Sequence, residues 1–83
     1  MNAETALKVN RAYQEAFSFG GISPCPDLSI LIDFEELIDV NDPAKTGKQI
    51  WLWKMENNPE NRILTTDYWS FGKSIIDAYD ATN

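Results

Sequence analysis

Apolar residues recur at spacings of three and four from Ala6 through Val9, Tyr13 and Ala16 to Phe17, which predicts a helix over residues 3–19. Leu7, Lys8, Arg11 and Glu15 fall around the rest of that cylinder. Gly20 and Gly21 are the expected stop, because glycine enters the left-handed conformation without a side-chain clash. The stretch from Ile22 to Asp27 reads as a loop, since Pro24 and Pro26 each fix a φ angle and remove a backbone donor.

The period changes at Leu28. Leu28, Ile30, Ile32 and Phe34 alternate with Ser29, Leu31, Asp33 and Glu35, the pattern of a strand with one apolar face. The same residues also permit a helix, with Ile30, Phe34, Leu37 and Ile38 on one side and Asp27 as its cap. A turn or loop is expected from Asn41-Asp42-Pro43 through Gly47. Gln49 to Met55 reads as a second strand and Ile63 to Thr66 as its antiparallel return, joined by the turn composition of Asn57 to Asn61. A short helix from about Ser70 or Lys73 to Ala81 closes the chain, with Ile75, Ile76 and Tyr79 facing inward. The expected fold class is α+β: a small single domain over residues 1–83, ordered α-β-β-β-α, with a three-stranded antiparallel sheet packed by N- and C-terminal helices.

Composition supports a folded chain, because 43% hydrophobic and 12% aromatic residues exceed what an acidic disordered segment carries. Eighty-three residues are too few to bury two cores. Cys25 is the sole cysteine, so no disulfide forms within the chain. Neither a signal-peptide pattern at the N-terminus nor an apolar run of spanning length is present, and a soluble, cytoplasmic protein is expected.

Charge alters the picture most. Asp27, Asp33, Glu35, Glu36, Asp39 and Asp42 lie in sixteen residues that hold no Lys or Arg, and they equal the whole formal net charge of −6. The other acids and bases balance, so one face should be strongly negative. Such a face repels nucleic acid and anionic membrane and attracts basic protein surfaces.

Candidate chemistry is sparse. With no histidine, the commonest general base and transition-metal ligand are missing, and Cys25 has no imidazole partner. Asp39-Val40-Asn41-Asp42 begins like a calcium loop, but Pro43 and Lys45 occupy later ligand positions and no glutamate closes the site. Neither a phosphate-binding loop nor the Asp-Ser-Leu site of an acyl carrier domain occurs, the chain having Asp27-Leu28-Ser29. No enzyme, no metal and no cofactor are expected.

The expected function is a small acidic protein-binding module, a stoichiometric inhibitor of anti-CRISPR or nuclease-immunity type that covers a basic nucleic-acid-binding surface on a nuclease or CRISPR-type complex. Its partner-binding residues would be Asp33, Glu35, Glu36, Asp39 and Asp42, with Trp51 and Trp53 as aromatic anchors. Direct nucleic-acid and membrane binding are not expected, and the chain would be a monomer or homodimer. The alternative is a structural or adaptor protein that docks through Trp51, Trp53 and Trp69.

Overall fold

The computed structural model describes residues 2–18, 27–57 and 67–81. Four helices make up most of these residues: α1 (Ala3–Ser18), α2 (Leu28–Glu36), α3 (Pro43–Asn57) and α4 (Tyr68–Asp80). No strand occurs among the described residues, which overturns the expected α+β class and its three-stranded sheet. The expected strands at 28–35 and 49–55 are both helices, and the expected loop after Asp42 is the first turn of α3. The expected third strand at 63–66, the glycine pair at 20–21, Cys25 and the turn at 58–61 lie outside the described residues.

Each helix starts on an Asn or Asp side chain. Asn2 Oδ1 accepts from Thr5 N at 2.8 Å, Asp27 Oδ1 from Ile30 N at 3.0 Å, Asp42 Oδ1 from Lys45 N at 3.1 Å and Asp67 Oδ1 from Ser70 N at 3.0 Å. One backbone donor that the first helical turn leaves without a partner is thereby satisfied in every case. At α3 the cap is followed by Pro43, whose missing N–H costs nothing at the first helical position. Asp-Pro is therefore a start signal here and not a loop.

The core is a chain of helix faces. Val9, Ala12, Tyr13, Ala16 and Phe17 line one side of α1, Leu31 and Phe34 point in from α2, Ile50 from α3, and Phe71 and Ile75 from α4. α2 packs on α1, and α4 packs on both α1 and α3. The α3–α4 crossing is unusually close because glycine faces glycine. A Cβ on Gly72 would collide with the Pro43 carbonyl oxygen and lie 2.7 Å from Gly47 N, and one on Gly47 would collide with the Tyr68 carbonyl oxygen and lie 2.9 Å from Gly72 N. The two backbones are in direct contact, with no side chain between them.

The aromatic residues tie α3 to the other three helices. Trp53 meets Phe34, Tyr13 and Phe17 with ring centroids 5.3, 5.8 and 5.9 Å away, all edge-on. Trp51 makes an edge contact with Tyr68 at 5.9 Å. In a strand Trp51 and Trp53 would share one face with Met55; the helix sets them about 160° apart and gives each its own ring neighbours.

Candidate functional site

The acidic segment divides once its residues are placed on these helices. Asp27 and Asp42 are committed to capping α2 and α3. The Asp27 carboxyl is held below the usual carboxylate range, chiefly by the Ser29 hydroxyl that donates to it at 2.7 Å and then by the Ile30 N–H. Asp39 is half-buried in the α2–α3 connection, where its Oδ1 accepts from Asn41 N at 3.0 Å. The buried Thr46 hydroxyl accepts from Asp39 N and donates to Asp39 O, both at 2.8 Å, and so fixes this connection against α3.

Asp33, Glu35 and Glu36 remain, all in the last turn and a half of α2. Asp33 and Glu36 are exposed on neighbouring positions of one face. Glu35 is half-buried and turns toward α4, where its Oε1 accepts from the Tyr79 hydroxyl at 3.4 Å. Burial, and then this carboxylate, push the Tyr79 phenol up from its ordinary value. The described residues include no ion pair to any of the three; the pair they do contain is Lys73–Asp77 on α4.

Glu35 and Glu36 border a groove of about 450 Å³ between the end of α2, the α2–α3 connection, the first half of α3 and Tyr79 of α4. Glu35, Glu36 and Asp39 supply three carboxylates to its wall, Lys45 a single amine, Ile38 apolar lining and Tyr79 its phenol. The structure thus brings Glu35, Glu36 and Asp39 to one groove, leaves Asp33 exposed on α2 outside its lining, and gives Asp42 a capping role. Trp51 and Trp53 belong instead to the aromatic packing between helices. The sequence reading omitted Tyr79 as a neighbour of Glu35, and omitted Leu28 and Ile32, which are 58% and 43% exposed on the outside of α2. Their i, i+4 spacing was the available signal under the helical alternative.

Lys54 is the other unexpected group. Its side chain is 2% exposed, and its Nζ has no hydrogen-bond partner among the described residues. Its nearest compensation among the described residues is the Phe17 ring, 5.7 Å from Nζ to the centroid. Burial holds the Lys54 ammonium below the usual lysine value. Lys54→Met is therefore expected to raise stability near neutral pH by about 1 to 3 kcal/mol, because it removes an unsatisfied buried donor and keeps the volume of the chain.

Proton linkage gives that gain a signature. With the native pKa depressed from 10.5, the penalty is full below the native value and is relieved as pH climbs toward the unfolded value. The advantage of the Met variant should shrink between about pH 7 and about pH 10. Tyr13 and Tyr79, both raised by burial, act oppositely above about pH 10, but they are common to both proteins and cancel in the difference. Denaturant unfolding of both proteins at the two pH values measures this, and a difference that stays constant or grows with pH contradicts the buried-ammonium account.

Among the described residues no three carboxylates or cysteines converge as a metal-holding group, and no helix is long and apolar enough to cross a membrane. No family model matches the chain, and no curated protein or solved structure matches it either.

Proposed function

We propose that the chain is a small protein-binding module whose acidic α2 face occupies a basic, nucleic-acid-binding surface of a target protein, in the manner of a stoichiometric inhibitor. One observation carries this reading: three acids crowd the C-terminal end of a nine-residue helix with no base in its last turn. The helix dipole is negative at that end, so each acid there is unfavourable within the chain by about 0.3 to 1 kcal/mol. A partner's Lys or Arg relieves both the mutual repulsion and the dipole. Carboxylates in a row stand where phosphates stand on the natural ligand of such a surface, and their field accelerates encounter. Nucleases and nucleic-acid-guided complexes of the cytoplasm are the targets whose surfaces have this chemistry.

The test uses immobilised wild-type protein and the Asp33→Lys/Glu36→Lys variant to capture proteins from a bacterial lysate at about 0.05 M and about 0.5 M salt, where screening differs several-fold in range. Asp33 and Glu36 are exposed, so the variant should retain its fold. The expected result is a target held only by the wild type at low salt, which then loses DNA or RNA binding when one equivalent of the chain is added. A captured protein that keeps its nucleic acid, or one held equally by the variant, overturns the proposal.

A further inference from the structure

We propose that the outer face of α2 seats a basic amphipathic helix of the partner, with Leu28 and Ile32 as the apolar ridge and Asp33 and Glu36 as the charge row beside it. This rests on the acidic-face reading above and names the kind of element that face receives. α2 spends Leu31 and Phe34 on the core and packs on α1. Its outer flank carries Leu28 and Ile32, one turn apart and 58% and 43% exposed. At 100° per residue, Glu36, Ser29 and Asp33 continue that exposed arc on one side and Glu35 borders it on the other.

The surface is therefore a narrow apolar ridge running along the helix axis beside two exposed carboxylates. Its complement is an element of the same scale and opposite charge. A partner helix with an apolar groove accepts the ridge at about 8 to 10 Å between axes, and Lys or Arg flanking that groove reach Asp33 and Glu36. A flat basic surface would pair with the acids but leave Leu28 and Ile32 in water. Two side chains are too few to hold a helix by burial alone, so ridge and acids act together and the contact is salt-sensitive.

The probe is a synthetic helix of about 18 residues made of Leu and Lys with a continuous apolar stripe, compared with a scrambled peptide of identical composition and no stripe. At about 0.15 M salt the striped peptide should bind the wild type at least about tenfold tighter than the scrambled one. Leu28→Ser/Ile32→Ser should bring it down to the scrambled level without moving the unfolding midpoint, since both side chains are exposed. Peptide-induced amide shifts in the wild-type protein should centre on α2. Equal binding of the two peptides, an unaffected Ser variant, or shifts centred elsewhere overturns the ridge and leaves the acidic-face reading standing. Unchanged binding of both peptides to Asp33→Lys/Glu36→Lys overturns the acidic-face reading itself and the ridge with it.

Discussion

Gly72→Ala is expected to cost more than about 3 kcal/mol of stability, although the same change in an exposed helix interior gains about 1 kcal/mol. The sign is reversed by what the new methyl meets. Its position collides with the Pro43 carbonyl oxygen and lies 2.8 Å from the Pro43 carbonyl carbon and 2.7 Å from Gly47 N. All three are backbone atoms, so no side-chain rotation makes room, and α3 and α4 must move apart. Separation loosens the core to which Ile50 of α3 and Phe71 and Ile75 of α4 belong. A domain of this length has about 4 to 12 kcal/mol in total, so the variant should be marginal or unfolded near 37 °C.

Gly47→Ala should behave similarly, because its Cβ collides with the Tyr68 carbonyl oxygen on the facing helix. The double variant should cost less than the two singles added together, since helices already parted by one methyl have space for the second. Urea unfolding of the three proteins is the measurement. A Gly72→Ala protein as stable as the wild type would mean that the helices do not cross in contact.

How much of this was legible follows from particular residues. α1 was readable over nearly its full length because Val9, Tyr13, Ala16 and Phe17 put apolar groups wherever the helix meets the core. α4 was readable from Ile75, Ile76 and Tyr79, but its start was obscured by Gly72, which weakens a helix by propensity and in this fold permits the closest helix contact. α3 was misread because its buried stripe is Thr46, Gly47, Ile50 and Lys54, where one residue in four is apolar. Trp51 and Trp53 flank that stripe and Leu52 lies on the exposed side, so the run Ile50 to Trp53 is apolar all round and has no helical period. Tertiary packing overrode the pattern: the glycine is there for approach and the threonine to fix the α2–α3 connection.

α2 was ambiguous for another reason. Leu28 and Ile32 remain exposed, and they are two of the four residues that made its alternation look like a strand face. Local chemistry decided the matter, since Asp27 with Ser29 and Ile30 makes a cap that a strand does not use. The same capping rule applied to Asp42-Pro43 would have identified α3. As for the candidate site, clustering of the acids could be read from sequence, but the assignment of two of them to caps required the helix boundaries.

Trp53→Ala is expected to cost about 3 to 5 kcal/mol. The indole is half-buried, yet it is the ring that joins three others: Phe34 of α2 at 5.3 Å and Tyr13 and Phe17 of α1 at 5.8 and 5.9 Å, from its own place on α3. Each edge-on pair contributes about 0.5 to 1.5 kcal/mol beyond the area buried, and truncation removes all three while opening a space that rigid neighbouring rings fill poorly. Tyr13 and Phe17 also stack on each other at 4.6 Å, so the hole would be bounded by a preformed pair that has little freedom to collapse into it. Trp53→Phe should recover more than half of the loss, because a smaller ring can keep the edge contact with Phe34. Trp69→Ala supplies the contrast: at 54% exposed, that side chain should cost about 0.5 kcal/mol or less. Chemical denaturation of the three variants gives the comparison. A Trp53→Ala protein that loses less than about 1 kcal/mol while its binding to a captured target falls more than tenfold would move this indole from the core to the interface.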